Sequence, residues 1–233
     1  MEKIKLLIKL FICFIAMLLT IYFIYEYYND KKIDTTLEYT MSEKKNELDM
    51  ISNLKEQYNN NDIKAFLEIP SVLSLPIVQS DDNEYYLNHN IYQETVKAGT
   101  PFLDYRINSL EERKLLIYGH NSTYRTLPFT SLLNYQDKKF FTKHPEIYLY
   151  TENGKKTYKI FSVYIEDEDF DYVNLKNFNG LTFYEHILKL EDKSLYNTGV
   201  ILNENSNILI LQTCSFDNTE SGSNYLLVMG VLQ

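Results

Sequence analysis

Cysteine and arginine are scarce in this chain, and tryptophan is absent. Among 233 residues only Cys13 and Cys214 carry a thiol. Cys13 lies in an apolar N-terminal segment and Cys214 near the C-terminus, so no bridge between them is expected. No CxxC or Cys/His spacing is present, which removes the usual zinc frameworks. Neither a metal nor a cofactor is expected. Arginine occurs only at Arg106, Arg113 and Arg125, and the formal net charge is −9. Nucleic acid is therefore excluded as a partner, because phosphate binding needs clustered Lys and Arg. Internal repeats and low-complexity tracts are also missing.

What is present points to a β-rich domain behind an apolar leader. Hydrophobic residues make up 45% of the chain and tyrosines number 21. Tyr and Phe favour half-buried strands. Residues 6 to 25 read LLIKLFICFIAMLLTIYFIY, uncharged except for Lys9. A helix of that length spans roughly 30 Å of hydrocarbon. Lys3, Lys5 and Lys9 precede or enter the run, and Glu26 and Asp30 follow it. The positive-inside rule then puts the N-terminus in the cytoplasm and the rest outside the cell. The run ends in Tyr-Phe-Ile-Tyr-Glu-Tyr-Tyr without the small-residue site that signal cleavage needs. A single-pass anchor at the cell membrane is expected over residues 1–28.

Residues 29–62 read as a helical stalk. Thr35 and Glu38 fit a capping box. Leu48, Ile51, Leu54 and Tyr58 recur at helical spacing, and Asn59-Asn60-Asn61-Asp62 is a stop-and-turn cluster. From residue 63 to 233 the pattern becomes strand-like. Strands are expected at 65–69, 76–78, 115–118, 147–151, 156–165, 208–212 and 225–232. Glu152-Asn153-Gly154 forms a turn between two of them. A helix is expected at 181–190, with shorter ones near 130–135 and 137–144. Regularly spaced strands with few long helices suggest a closed barrel.

The chemistry centres on Cys214, which closes the run Asn207-Ile208-Leu209-Ile210-Leu211-Gln212-Thr213-Cys214. A cysteine nucleophile needs something that favours its thiolate or takes its proton, and histidine is the usual partner. Of His89, His120, His144 and His186, only His120 ends an apolar strand, Leu115-Leu116-Ile117-Tyr118, and opens a loop, Gly119-His120-Asn121-Ser122. A strand end lies on a rim that substrates reach, and Gly119 permits a sharp turn there. His144 belongs to a solvated turn, His186 falls mid-helix and His89 sits between asparagines.

Tyr118-Gly119-His120-Asn121, followed far downstream by Leu211-Gln212-Thr213-Cys214 at a strand end, resembles the sortases. These are membrane-anchored cysteine transpeptidases of Gram-positive bacteria whose cysteine closes a T-L-x-T-C motif. Ile210 stands where the first Thr is usual; Leu211, Thr213 and Cys214 match. The intervening text is most similar to class B sortases: Pro76-Ile77-Val78-Gln79-Ser80, Asp82-Asn83-Glu84-Tyr85-Tyr86-Leu87, Asp104-Tyr105-Arg106, Phe140-Phe141 and Asp169-Phe170-Asp171-Tyr172. The resemblance covers residues 63 to 232 and the anchor. It implies a mainly β fold, a closed sortase-type barrel with N-terminal helices and a helix between late strands, preceded by one transmembrane helix.

The resemblance also implies a two-step acyl transfer. Cys214 attacks the threonine carbonyl of a C-terminal sorting signal on a secreted protein. His120 protonates the departing amine and later deprotonates the incoming one. That second amine belongs to peptidoglycan or its lipid-linked precursor. The family's third catalytic residue is an arginine on the last strand, but here no arginine follows Arg125. Aligning the tail Val228-Met229-Gly230-Val231-Leu232 puts Tyr225 in its place, and a one-residue slip puts Asn224 there. A hydroxyl or amide can donate one hydrogen bond to a developing oxyanion without full positive charge, and Arg125 offers charge from the loop after His120. Gln212, Thr213, Asn121 and Tyr172 are further candidates for substrate contact.

Asp167-x-Asp169-x-Asp171 imitates the opening of a calcium loop. Tyr172 replaces the glycine at the sixth place and Phe178 the glutamate at the twelfth, so an acidic loop without metal is expected. Other cell-wall cysteine enzymes fit less well. NlpC/P60-type peptidases place the cysteine before the histidine and at a helix start. L,D-transpeptidases use an S-H-G-C type motif, unlike Gln212-Thr213-Cys214-Ser215. A catalytically impaired, membrane-tethered binding protein on the same scaffold is the alternative that the missing arginine raises.

Overall fold

The computed structural model describes residues 2–37, 49–121, 127–167, 169–214 and 224–233. Side chains are described within those ranges except at 2–8, 10, 28–37 and 214. The chain divides into two compact units, 1–38 and 39–233.

The first unit is a single helix, α1 (Glu2–Leu37). No glycine or proline interrupts these residues, so helix propagation runs past the apolar segment. Thr35 consequently lies in the last turn of α1 and does not start a new helix; Glu38, its expected capping partner, lies outside the described residues. The apolar side chains are open to the surroundings, with Phe11 and Phe23 each 64% exposed. Among the described residues no helix is long and apolar enough to cross a membrane.

The second unit opens with α2 (Met50–Tyr58). Met50, Ile51, Leu54 and Tyr58 recur on one face and are buried, as the spacing predicts; Leu48 lies outside the described residues. The helix stops at Asn59, whose φ of 48° is left-handed, a conformation asparagine tolerates at a C-terminus. The apolar face of α2 joins Ile63, Phe66, Val78, Tyr86, Ile91, Phe102 and Tyr150 in one core cluster. Within the segment expected as a helical stalk, residues 29–37 continue α1, and α2 packs into the core of the second unit.

Eight strands follow: β1 (Ile63–Ile69), β2 (Leu73–Val78), β3 (Phe102–Leu103), β4 (Lys114–Tyr118), β5 (Glu146–Thr151), β6 (Gly154–Glu166), β7 (Ile208–Cys214) and β8 (Tyr225–Leu232). They close into a barrel in the order β1-β2-β3-β4-β7-β8-β6-β5. Seven correspond to expected strands. β3 was not expected: two residues are too short for an alternating pattern, and their pairing is imposed by β2 and β4 on either side. β5 and β6 form the hairpin foreseen from Glu152-Asn153-Gly154, with Thr151 opposite Gly154.

Helices fill the connections. A 3-10 helix (Thr130–Gln136) and α3 (Lys138–Lys143) join β4 to β5, and α4 (Phe183–Asp192) joins β6 to β7. The start of α4 is set by Thr182. Its hydroxyl accepts from Glu185 N–H at 3.2 Å, and the Glu185 carboxylate accepts from Thr182 N–H at 2.7 Å. This reciprocal cap satisfies two N–H groups that a helix start otherwise leaves without partners.

Two neighbour pairs run parallel, β2 with β3 and β4 with β7. A parallel pair cannot be joined by a tight turn, so the route from β4 to β7 passes through β5, β6 and α4. Both strands therefore end at the same rim. Leu54→Ala should cost about 2–5 kcal/mol by opening a cavity beneath α2. A urea midpoint unchanged from wild type would mean that α2 is not part of the barrel's core.

Candidate active site at the β4, β7 and β8 rim

β7 is the middle strand of the site. On one side it pairs in parallel with β4, matching Tyr118 to Gln212. On the other it pairs antiparallel with β8, matching Cys214 to Tyr225. The main chain of β4 leaves the sheet after Tyr118, and Gly119 N–H donates to the Gln212 carbonyl at 3.0 Å. The next residue is His120. Three chemistry-bearing positions that are distant in sequence thus share one rim: His120 after β4, Cys214 at the end of β7, and Tyr225 at the start of β8.

His120 is held at three points. Its carbonyl accepts from Phe129 N–H at 3.3 Å, and its Nε2 lies 3.0 Å from the Leu87 carbonyl oxygen. The Gly119 peptide before it is the third point. Gly119 is required by close approach: a Cβ there would stand 2.4 Å from the buried ring of Phe129. The glycine matters because a side chain has no room there, and not because the backbone needs a left-handed turn. Asn121 follows, half-buried; Arg125 lies outside the described residues.

Successive side chains on a strand alternate in direction, so Gln212 and Thr213 occupy opposite faces of β7. Gln212 is half-buried and its Oε1 accepts from the Tyr172 hydroxyl at 3.0 Å. Tyr172 itself is buried, at 2% exposure, and its hydroxyl is engaged with Gln212. Thr213 is buried, and its hydroxyl has no hydrogen-bond partner among the described residues. Asn224 is buried and Tyr225 half-buried. The Tyr225 ring meets Phe170 edge to face, centroids 6.1 Å apart. Phe170 has a φ of 50°, an uncommon backbone state for a bulky residue.

Phe170 and Tyr172 belong to the segment between β6 and α4, which walls the rim. Several groups bolt it down. Arg106 grips Asp104 through Nε and Nη2 at 2.9 and 2.7 Å and also donates to the Val173 carbonyl at 3.0 Å. The Tyr118 hydroxyl donates to the same Asp104 carboxylate at 2.7 Å. Burial opposes ionisation of Asp104, but the Arg106 guanidinium and the Tyr118 hydroxyl hold its carboxyl below the usual range. Lys114 donates to the Asn174 carbonyl at 2.7 Å and to His186 Nε2 at 2.8 Å. On the outer side Lys189 pairs with Asp169 and Asp171, and Lys193 with Glu166 and Asp169. The acidic loop that imitates a calcium motif is thus tied to lysines of α4 and its end.

Sequence reasoning found the chemical groups at the rim and missed what holds them. Asp104-Tyr105-Arg106 stood out only as a resemblance. Lys114 opening an apolar strand and His186 in mid-helix were the available signals for the pair beneath the wall. The Leu87 carbonyl and the Phe129 ring left no such signal, since a main-chain oxygen and a packing contact have no residue code.

Comparison with known proteins agrees with this geometry. Residues 67–233 match the sortase family through its sortase domain. The sortase B of Listeria monocytogenes is 35% identical over 159 residues, which are 66% of this chain and 63% of that protein. The chain thus matches somewhat under two thirds of that relative's length. The crystal structure of Clostridium perfringens sortase B superposes with a TM-score of 0.70 at 30% identity, covering 78% of this chain and 98% of that one. A Staphylococcus aureus sortase B solved as a substrate complex gives a TM-score of 0.74 at 24% identity, covering 89% and 96%; at that identity the likeness is one of fold.

The Lys114–His186 pair predicts a pH dependence of stability. Burial, then the charge of Lys114, pushes His186 from 6.5 down to about 4, with Asp171 and Asp169 opposing and Lys189 adding to the push. Burial likewise pushes Lys114 down to about 7. Between pH 6.5 and about 4 the unfolded chain binds a proton at His186 that the folded chain refuses, so stability is lost as pH falls through that window. At pH 5 the loss amounts to about 2 kcal/mol. His186→Gln should shrink the drop in urea midpoint between pH 7 and pH 5. An equal drop in both proteins would mean that His186 titrates normally.

Proposed function

Because the chain belongs to the sortase family, within class B, we propose that it works as a membrane-anchored cysteine transpeptidase on sorting signals. Cys214 is the nucleophile. Its thiolate attacks the carbonyl carbon of threonine in the C-terminal signal of a secreted protein, forming a C–S bond. The C–N bond breaks, and the departing amine takes its proton from His120. A thioacyl-enzyme links the two halves of the reaction. An amine of peptidoglycan or its lipid-linked precursor then gives a proton to His120, attacks the thioester, and releases Cys214.

The single observation that carries this reading is the rim register. Tyr118 pairs with Gln212 and Cys214 with Tyr225, so nucleophile, base and a third position meet on adjacent strands. Tyr225 stands where the family has arginine, with Asn224 one residue before it. A tyrosine hydroxyl supplies one neutral donor to the oxyanion of the tetrahedral intermediate, a weaker contribution than a guanidinium. Gln212 and Asn121 are proposed to shape the signal's groove, Tyr172 acting through its bond to Gln212 and Thr213 from the buried, opposite face of β7.

Anchoring is supported by the sequence of residues 6 to 25 and by Lys3, Lys5 and Lys9 ahead of or within it. On this reading the N-terminus is cytoplasmic, the chain crosses the cell membrane once, and the catalytic unit is extracellular. Both substrates are then met at the outer membrane face. The second reading is a catalytically impaired binding protein on the same scaffold, favoured by one observation: no arginine follows Arg125.

The test uses the full chain in detergent micelles with threonine-containing sorting peptides and intact-mass detection. A thioacyl adduct is expected in wild type and absent in Cys214→Ala. Tyr225→Phe should slow adduct formation by about 10²-fold, the scale of a lost oxyanion donor. A Tyr225→Phe enzyme at the wild-type rate removes the tyrosine from the mechanism. No adduct from any peptide, with the protein folded and its thiol reactive, selects the binding-protein reading.

A further inference from the structure

The side chain of His120 is oriented by a main-chain carbonyl that an independent part of the fold has been built to present. His120 Nε2 lies 3.0 Å from the oxygen of Leu87. A carbonyl accepts and cannot donate, so Nε2 carries the hydrogen and donates it. This holds for the neutral ring and for the imidazolium alike. Nδ1 is then the ring nitrogen left to gain and lose a proton.

The Leu87 carbonyl is fixed from several directions. It ends a 3-10 helix (Tyr85–Leu87), which begins where Asp82 Oδ1 accepts from both Glu84 and Tyr85 N–H at 2.8 Å. The middle residue, Tyr86, is buried, and its hydroxyl donates to Asp62 Oδ2 at 2.7 Å while Asn60 Nδ2 donates to it at 3.1 Å. The Tyr86 carbonyl accepts from Thr100 N–H at 2.9 Å, and the Asn88 carbonyl from Val96 N–H at 2.7 Å. Gly99 allows the returning chain to pass this close. Its φ is +62°, and a Cβ there would stand 2.4 Å from the Tyr86 oxygen and 2.7 Å from that of Leu87.

We infer that Leu87, through its carbonyl, and Gly99, through its lack of a side chain, are positioning residues that lock His120 as the Nε2–H tautomer and assign proton transfer to Nδ1. A carboxylate in that place would orient the ring and also add charge; a carbonyl orients it without charge. The inference rests on the transpeptidase reading above, because only that reaction makes a proton carrier of His120.

The test uses the full chain in detergent micelles with ¹⁵N-labelled histidine. Long-range ¹H–¹⁵N spectra are recorded at a pH where the ring is neutral, and His120→Gln identifies the His120 signals. Wild type should show the Nε2–H pattern alone. Gly99→Ala should convert it to a mixture of tautomers and lower the rate of thioacyl formation by about 10- to 100-fold, with KM little changed. Tyr86→Phe, which keeps the ring and loses the hydroxyl contacts, should move both readouts the same way by less, and it serves if Gly99→Ala does not fold. A wild-type Nδ1–H pattern overturns the inference. So does a folded Gly99→Ala protein with one tautomer and the wild-type rate. A wild-type Nε2–H pattern with no thioacyl adduct from any peptide overturns the catalytic use instead and leaves the ring's orientation standing.

Discussion

The parallel pairing of β4 with β7 is the constraint on which the site depends. Matching Tyr118 to Gln212 brings two strand ends to one rim, with His120 just beyond one end and Cys214 closing the other. Because a parallel pair needs a long crossover, the chain between the two strands is free to build β5, β6 and α4. That crossover returns over the site as its wall. A slip of one residue in the pairing would turn Gln212 to the opposite face and break its bond to the Tyr172 hydroxyl.

Around this pair the protein supports the site with two packed bodies of different character. Beneath His120 lies the apolar cluster of α2, β1 and the 85–91 segment, whose polar edge is the Asn60–Tyr86–Asp62 network. It delivers a carbonyl to the imidazole. Beside Gln212 and Tyr225 lies a wall held by charged groups, with Arg106 and Lys114 gripping the carbonyls of two consecutive residues, Val173 and Asn174. Apolar packing is non-directional and suits a platform; hydrogen bonds from Arg106 and Lys114 fix particular oxygens and suit a wall. Tyr172 joins the wall to the strand by bonding Gln212.

Much of the fold was legible because its signals are local. The alternation in 147–151 and 156–165, the Asn153-Gly154 turn and the apolar run before Cys214 each specify a strand or turn from a few neighbouring residues. The helical spacing of Ile51, Leu54 and Tyr58 and the Asn59 stop were equally readable. β3 was not, since Phe102 and Leu103 become a strand only by lying between β2 and β4. The continuity of α1 through Thr35 was also missed, because a capping motif resembles a helix start even where nothing ends the preceding helix. At the site, Cys214 and His120 were visible as reactive types at strand ends. The contacts of Phe129, Leu87, Lys114 and His186 were not, since each depends on a partner outside its own short stretch of sequence.

By itself the sequence determined which groups are available: one cysteine closing a strand, one histidine opening a loop, a tyrosine opening the last strand, and an apolar segment at the N-terminus. These follow from residue type and short-range pattern, which are local properties. The tertiary structure decided how the groups are used. It brought His120, Cys214 and Tyr225 to adjacent strands, buried Tyr172 and turned its hydroxyl to Gln212, and set a carbonyl against Nε2 of the histidine. Register, burial and main-chain hydrogen bonding are collective outcomes of packing a closed barrel, and no single stretch of residues encodes them.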